Sequence, residues 1–586
     1  MPHDKTYGGA PDYPAVAQGT YRPFPTPFDQ IESEDGWTDQ SPDYFEAPYT
    51  LQEIDMLALS YSIRSKPGWA TKMRDPAIRE KWKKEALEHR SEMGIASAGE
   101  DPGEDDKPRA RLTEGMVEYV LKELEMHEKE LEDENGIRLS CFDKVYESDT
   151  LIPSSLRASL LAHVAQLEAN PPHGTPDWHP GSNNQVLDLV HPSLYPLRYG
   201  VTPVRALDDE GKVTDRVEAP EPRNAIHSAS KKYQWLPSDF DVDAEGKVSI
   251  TSYINNLHPV DHAPFYPVLS SLFERFLPMF ERVLSSLQAP TPRRIYIDSE
   301  VTSRWYGDGE YEGDEDAEDY WERYEEYEEN KTLRLPEPGE FRMPSAEEIE
   351  KKKEEGPAFP LKGRKLQVIV KLANIHLTPE QPTYEGGVWH VEGMQNEEIV
   401  ASGIYYFDQE NITDSQLAFR GTFDDDQLPY EQSDDRGVRA VFGIENDSPC
   451  IQYFNALDTK AGRAICFPNI YQHKVSSFSL EDKSKPGFRK ILVFFLVDPL
   501  KSASGTVIST SRVPYQQRGW AERELPSSVR SRLPDELWIQ SFDQTDGLMD
   551  LDEAKRVREE LMHERKFLVK ENSEKVFERS FSLCEH

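Results

Sequence analysis

The stretch KLQVIVKLANIH (365–376) decides how the second half of this chain folds. Leu366, Val368, Val370 and Leu372 recur at every second position, a period typical of a β-strand, in which successive side chains point to opposite faces. Further short segments of the same kind follow, separated by Gly, Pro, Asn and Asp, at 397–407, 416–423, 438–445, 450–456, 463–468, 472–479 and 488–498. About eight such strands in succession predict a sandwich, barrel or jelly roll, and not alternating βαβ units.

The rest of the chain has a different texture, with amphipathic helical patterns before the β region and a charged helical pattern after it. The predicted fold class is therefore α+β, with a C-terminal jelly roll supported by a mainly helical N-terminal half. Five segments are expected: an extended N-terminal arm (1–48), a mainly helical region (49–300), an acidic insertion and linker (301–360), the jelly-roll core (361–505) and a C-terminal extension with a helix (506–586).

Composition excludes several classes of function. The 67 Lys and Arg against 107 Asp and Glu give a formal net charge of −40, whose field repels phosphate backbones and anionic lipid, so nucleic acid is disfavoured as a partner. Four scattered cysteines indicate neither a disulfide framework nor a Cys-ligated zinc site. With no secretory signal and no apolar run of membrane length, we expect a cytoplasmic or nuclear protein without a membrane partner.

The segment Asp308 to Glu329 carries thirteen acidic residues against Arg323 alone. It is compatible with a docking surface for a basic protein partner. A solvated insertion that repels itself and stays unfolded has the same composition, so the sequence leaves both interpretations open.

His390 and Glu392 form the only His-x-Asp/Glu triplet that the fifteen histidines open. Residues i and i+2 of a strand share a face, so both side chains could reach one metal ion. A third ligand is needed, and the β region offers only His376 and His473. We expect His376 to be structural and His473, next to the penultimate strand, to be the ligand.

Arg489 lies in FRKILVFFLVD (488–498), a strand that is otherwise almost wholly apolar. Alternation places it on the same face as Ile491, Val493 and Phe495, so its guanidinium is predicted to point into the core, where it requires an anion. Two imidazoles and one carboxylate are the ligand set of non-haem Fe(II) oxygenases, and an arginine on a neighbouring strand would hold the distal carboxylate of a keto acid.

The blocks WHVEGMQNEEIVASGIYYFD, GRAICFPNIYQHKVSSFSLEDKSKPGFRKILVFFLVDP and SYINNLHP resemble DUF4246, a family of unknown function found chiefly in fungi. That family is similar to distant Fe(II)/2-oxoglutarate oxygenases with a double-stranded β-helix. The resemblance implies His390, Glu392 and His473 as ligands of Fe(2+), with Arg489 anchoring 2-oxoglutarate and O2 as the other co-substrate. Glu392 stands where Asp is commoner in that superfamily.

Tyr384 and Tyr405, which flank the proposed site in the sequence, are candidates to contact the co-substrate, with packing as their alternative role. Lys490 stays open as an alternative anchor, although its alternation points away from the core. Two other functions stay open: a non-catalytic scaffold with a structural or absent metal, and a zinc hydrolase. The substrate, a small molecule or a protein side chain, is not defined by the sequence.

Overall fold

The computed structural model describes residues 21–28, 46–88, 112–130, 135–171, 174–205, 213–222, 228–297, 306, 319–330, 332–430, 434–502, 506–524 and 527–583. Most of the predicted N-terminal arm and residues 308–318 of the predicted acidic insertion lie outside these ranges.

The helices are α1 (Leu51–Arg64), α2 (Trp69–Met73), α3 (Pro76–Glu88), α4 (Glu114–Glu130), α5 (Ser154–Ala169), α6 (Tyr266–Gln288), α7 (Tyr320–Asn330), α8 (Ala346–Glu355), α9 (Asp435–Phe442), α10 (Pro499–Ser502), α11 (Arg518–Glu524), α12 (Ser527–Arg530), α13 (Asp535–Asp543) and α14 (Leu551–Asn572).

The strands are β1 (Arg138–Leu139), β2 (Tyr146–Ser148), β3 (Val186–Val190), β4 (Leu197–Arg198), β5 (Pro203–Arg205), β6 (Val213–Arg216), β7 (Tyr233–Gln234), β8 (Ser238–Val242), β9 (Val248–Ile250), β10 (Lys365–Leu377), β11 (Thr383–Tyr384), β12 (Ile399–Glu410), β13 (Ser415–Thr422), β14 (Ile451–Thr459), β15 (Ala464–Pro468), β16 (Gln472–Val475), β17 (Phe478–Ser479) and β18 (Gly487–Val497).

Strand β10 lies inside a large antiparallel sheet with the order β1-β2-β15-β12-β18-β10-β8-β9, and β3 also pairs with β10. The longest pairings are at its centre, where β18 is flanked by β10 and β12. Along β10, Val368 lies opposite Leu496 and Leu377 lies opposite Gly487. The protein therefore combines helices with antiparallel sheets, as the sequence predicted.

A second, smaller sheet has the order β14-β13-β16, and a short ribbon joins β11 to β17. An isolated bridge between His390 and His473 links the segment after β11 to β16. From β10 onward the chain passes back and forth between the two sheets, because β10, β12, β15 and β18 belong to the large sheet while β13, β14 and β16 belong to the small one.

The large sheet buries apolar side chains on both of its faces. On the outer face, Phe276 and Phe280 of α6 pack against the sheet around Phe494. A Cβ at Gly403 would lie only 2.8 Å from the Phe276 ring, so glycine lets this helix sit close to β12. On the inner face, a second apolar layer fills the space between the two sheets; it includes Ile369, Ile404, Val493, Phe495, Leu417, Phe419 and Leu457.

The segment VRAVFGIE (438–445), predicted as a strand, begins instead as the end of helix α9. The Asp434 side chain caps this helix by accepting a hydrogen bond from Gly437 N, and Gly443 ends it in the left-handed conformation. Its buried Val438, Val441 and Phe442 recur three and four residues apart, a helical spacing that the sequence interpretation missed.

The N-terminal half was predicted to be mainly helical, but it also contributes strands to the large sheet, namely β1, β2, β3, β8 and β9. These strands have two to five residues, too short to show a period. At the other end of the chain, α14 packs Ala554, Val557 and Leu561 into the layer between the sheets. No helix in the described ranges is long and apolar enough to cross a membrane.

Candidate metal centre

His390, Glu392 and His473 come together at the edge of the small sheet. His390 and His473 exchange backbone hydrogen bonds across their bridge, with N···O distances of 3.3 and 3.0 Å. Their ring centroids are 4.3 Å apart. Glu392 Oε1 lies 3.7 Å from His390 Nε2 and 3.5 Å from His473 Nε2. Two imidazole nitrogens and one carboxylate oxygen thus converge on one point, and all three lie within 4.8 Å of one another.

Local backbone features hold this segment in place. Gly386, at a φ of +92°, lets the chain pass so close to β16 that a Cβ would lie 2.7 Å from Val475 O. His390 Nδ1 lies 2.8 Å from the backbone carbonyl of Val388. This contact favours a proton on Nδ1, which leaves the Nε2 lone pair free for a metal.

Asn469 fixes Glu392 from behind. Its Oδ1 accepts a hydrogen bond from Glu392 N at 2.8 Å, while its Nδ2 donates to Glu392 O at 2.9 Å and to Ile399 O at 3.0 Å. The side chain is fully buried, so its partners would have no water to replace it. Asn469 is therefore a positioning residue for the carboxylate.

The free energy of unfolding of the Asn469→Ala variant is expected to be about 2–4 kcal/mol lower than that of the wild type, because three buried hydrogen bonds are lost. It should also bind Fe(II) more weakly. Asn411→Ala is the matched control, because Asn411 likewise joins two loops through its side chain but away from Glu392. Urea unfolding and anaerobic Fe(II) titration measure both effects, and equal Fe(II) affinity in the two variants would contradict the positioning role.

The electrostatics of the cluster favour a carboxylate between two imidazoles. Burial opposes ionisation of Glu392, but hydrogen bonds and charge interactions with His390 and His473 hold its pKa well below the usual range. Burial lowers the pKa of His473, and the neighbouring His390 lowers it further. His473 is therefore disposed to be neutral, the form in which an imidazole binds a metal.

Arg489 points into the space between the sheets, as its alternation predicted. It is 2% exposed, and its Nη1 donates to Ser415 Oγ and, at 3.3 Å, to Thr459 Oγ1. No carboxylate within the described ranges pairs with it, and its Nε has no hydrogen-bond partner there. Burial lowers its pKa. An arginine buried among hydroxyl groups, without a counter-ion, is prepared to receive an anion.

The two candidate tyrosines are placed differently. Tyr384 lies beside Phe478 in the ribbon. Burial raises the pKa of Tyr384, and the charge of the nearby Arg489 guanidinium offsets part of that rise. Tyr405 is not brought to this site, since it belongs to the apolar layer on the outer face of the large sheet. Its neighbour Tyr406 points inward instead, with the Arg489 guanidinium 5.5 Å from its ring centre.

The other polar candidates have structural partners. Lys490, the alternative anchor, lies 2.7 Å from Glu168 of α5. His376 is only part-buried on β10, and its backbone N donates to Gln185 O. In the SYINNLHP block, Asn255 and Asn256 likewise have structural roles, since both donate to backbone carbonyls of the 191–195 turn.

Sequence reasoning missed a second cluster, formed by His179, Asp188 and His191. His179 Nδ1 lies 2.8 Å from Asp188 Oδ2, while Ser193 N donates to His191 Nδ1. The short hairpin that brings residues 178 and 187 together creates this contact. In the sequence, only the turn residues between positions 178 and 187 indicated this hairpin. Turn residues alone are weak evidence for a hairpin.

Comparison with known sequences identifies a family of unknown function. The sequence model described as "Protein of unknown function (DUF4246)" matches residues 114–524, and that described as "Domain of unknown function DUF4246, N-terminal" matches residues 10–85. No curated protein matches the chain.

Solved structures show only distant likenesses. The Fe(II)/α-ketoglutarate-dependent dioxygenase TqaL is 12% identical, with a TM-score of 0.22 over 47% of this chain and 70% of that chain. IDO from Bacillus thuringiensis is 10% identical, with a TM-score of 0.15 over 23% and 47%. EvdO2 from Micromonospora carbonacea var. aurantiaca, complexed with 2-oxoglutarate, is 12% identical, with a TM-score of 0.12 over 22% and 52%. Values this low leave the function to be argued from the site itself.

Proposed function

This chain belongs to the DUF4246 family, and from the geometry of its site we propose that it is an iron(II)- and 2-oxoglutarate-dependent dioxygenase. His390, Glu392 and His473 would hold the iron. Two imidazoles and a carboxylate on one side of an ion match the ligand set of non-haem Fe(II) oxygenases and leave positions open for co-substrates.

The observation that carries the proposal is Arg489, a fully buried cation without a carboxylate partner among the described residues. A zinc hydrolase with the same three ligands has no evident use for such a group. A 2-oxoglutarate molecule does, because its 5-carboxylate must be fixed while its other end chelates the metal.

The distance between Arg489 and the metal cluster suits this co-substrate. Arg489 donates to Ser415 on β13, and four residues farther along the same strand Phe419 pairs with His473. Four residues correspond to roughly 13 Å along a strand. The guanidinium already lies at Ser415, so a five-carbon diacid that accepts its hydrogen bonds and chelates a metal held by the cluster would extend along that length, and both groups could engage one molecule.

The fold is compatible with the proposal. Strands that alternate between a large and a small antiparallel sheet are what a double-stranded β-helix requires, and His473 and Arg489 contact Phe467 and Tyr406, two residues of the large sheet that face the small one. We propose this name for residues 361–505, with the N-terminal elements and α14 as additions that enlarge and cover it.

The residues of this chain would bind and orient 2-oxoglutarate and would exclude water from it. Arg489 would orient 2-oxoglutarate through its 5-carboxylate, with Tyr384 beside the guanidinium. Tyr406 and Phe478 cover the arginine, at 5.5 and 4.4 Å from its guanidinium carbon, and keep the anion pair from water. Iron, when bound, would supply activation of dioxygen, so that substrate, 2-oxoglutarate and O2 yield hydroxylated substrate, succinate and CO2.

The test is conversion of 2-oxoglutarate to succinate by purified protein with Fe(II) in air. We expect slow turnover even without the second substrate, stoichiometric CO2 release, and none with Zn(II). Absence of both turnover and 2-oxoglutarate binding would favour the scaffold function, and hydrolase activity with Zn(II) would favour the third class.

Alanine and aspartate in place of Glu392 are expected to have different effects on Fe(II) binding and on turnover. Glu392→Ala removes one ligand and one negative charge, so Fe(II) binding should weaken and turnover largely fail. Glu392→Asp keeps the charge on a side chain shorter by one methylene, and it should retain iron and part of the turnover. Succinate formation measures both. Full, equal turnover in the wild type and both variants would exclude Glu392 from the ligand set.

A further inference from the structure

We propose that Lys371, which lies at the level of the metal centre, binds a carboxylate of the molecule that is oxidised. This inference rests on the proposed function and adds the chemical class of the substrate to it.

Lys371 lies on the inner face of the large sheet. Its neighbours Val370 and Leu372 belong to the outer apolar layer, whereas Ile369, two positions away, belongs to the layer between the sheets. Side chains alternate along a strand, so Lys371 shares the inner face with Ile369. Its side chain is half-buried.

The register places Lys371 at the level of the metal cluster. Arg489 lies opposite Ile375, and Lys371 lies opposite Val493, four residues farther along both strands. Lys371 therefore lies roughly 13 Å along the sheet from the paired residues Arg489 and Ile375. Arg489 and Lys371 are thus two cations on one face, separated by about the span that 2-oxoglutarate and its anchor would occupy.

Ring contacts place His473 of the small sheet at the same level along the large sheet as Lys371. The Phe467 ring centroid lies 4.8 Å from that of His473 and 5.1 Å from that of Phe419. Phe467 pairs with Ser402, which lies opposite Phe495, one inward position beyond Val493. His473 thus lies near the rows of Val493 and Phe495, and Lys371 belongs to the first of these.

The Lys371 ammonium has neither an ion-pair partner nor a hydrogen bond among the described residues, while the Lys371 backbone pairs with Val493 in the sheet. Its positive charge is one of the smaller influences on the pKa values of His390, Asp188 and His191, so these groups lie near it. Neither of the two carboxylates near it forms an ion pair with it. Glu392 faces the imidazoles, and Asp188 lies 2.8 Å from His179 and 3.8 Å from Arg558.

A half-buried ammonium beside a metal site is best satisfied by an anion that enters with the substrate. The compact ammonium, unlike a guanidinium, suits a single carboxylate oxygen. The site is open at His390, whose side chain is 34% exposed, while that of His473 is 4% exposed. A substrate carboxylate on Lys371 would hold the adjacent carbon atoms near the open positions of the metal.

Acetate is the probe for this site, with Mn(II) as a paramagnetic metal and saturating 2-oxoglutarate to occupy Arg489. In the wild type, paramagnetic relaxation of the acetate methyl protons should saturate with acetate concentration. Lys371→Met should weaken this binding about tenfold or more, and Lys371→Arg should retain part of it. Lys365→Met, at an exposed lysine on the same strand, should match the wild type.

The outcomes separate the two proposals. Failure of the wild type to bind Mn(II) or 2-oxoglutarate would refute the proposed function. Normal binding of both, with acetate relaxation absent or unchanged in Lys371→Met and in Lys371→Gln, would overturn the role of Lys371 alone. Thermal unfolding of each variant identifies any that fails to fold, in which case the Lys371→Gln result decides.

A second measurement uses the reaction itself. Amino acids, N-acetyl amino acids and short-chain carboxylic acids are compared with their primary amides as stimulants of succinate formation. At least one acid should stimulate the wild type, its amide should not, Lys371→Met should lose the stimulation, and Lys365→Met should keep it. Equal stimulation by acid and amide, or by none of the acids, would overturn the carboxylate assignment.

Discussion

Arg489→Ala is expected to weaken 2-oxoglutarate binding about ten- to a hundredfold while leaving Fe(II) affinity nearly unchanged. A charge-assisted hydrogen bond contributes roughly 1.5–3 kcal/mol, and the buried guanidinium would make such bonds with the 5-carboxylate. Iron is held by other residues, so its binding does not depend on the arginine. Anaerobic titration of the Fe(II)-loaded protein with 2-oxoglutarate measures the difference.

Lys490→Ala is the matched control for this experiment. Lys490 is the next residue on β18, but its ammonium lies 2.7 Å from Glu168 on α5 and does not share the space around Arg489. Its loss should leave 2-oxoglutarate affinity nearly as in the wild type. If the two variants exchanged their behaviour, the assignment of the anchor would be wrong by one residue, which in a strand means the opposite face.

His473→Ala is expected to abolish Fe(II) binding at the site, with an affinity loss of about a hundredfold or more. It removes one of three ligands, and it does so on the buried side, where no water can readily take the place of the imidazole. Succinate formation should fall to background with it. Equilibrium dialysis of Fe(II) under nitrogen measures the loss.

His376→Ala serves as the control, since His376 also lies on a β-strand of the core but outside the cluster. It should bind one Fe(II) with nearly wild-type affinity. Unchanged binding in His473→Ala, or equal losses in the two variants, would show that the iron is held elsewhere, and the His179, Asp188 and His191 cluster would then be the place to examine.

Sequence alone predicted those parts of the fold that have a strong period. The two long central strands, β10 and β18, alternate or run apolar over eleven or thirteen residues, and their alternation correctly turned Arg489 inward. The short segment 438–445 shows the limit. Val438, Ala440, Phe442 and Ile444 alternate as in a strand, whereas Val438, Val441 and Phe442 have a helical spacing. The Asp434 cap and the Gly443 end decided for the helix.

The choice between adjacent tyrosines could not be made from the sequence. Tyr405 and Tyr406 stand in an apolar run with few polar neighbours, so either could have faced the inside. A shift of one residue in register exchanges the two faces, and β12 contains irregularities on both sides of this pair. Contacts across the sheets, absent from a single strand's pattern, place Tyr406 beside Arg489.

The most direct test of the account is anaerobic visible spectroscopy of the wild-type protein with Fe(II) and 2-oxoglutarate. Chelation of iron by the keto acid should produce a metal-to-ligand charge-transfer band that saturates at one Fe(II) per chain. The band should be absent in His473→Ala and should require far more 2-oxoglutarate in Arg489→Ala. A wild-type protein that forms no such band, or a band that persists in His473→Ala, would contradict the proposed iron centre.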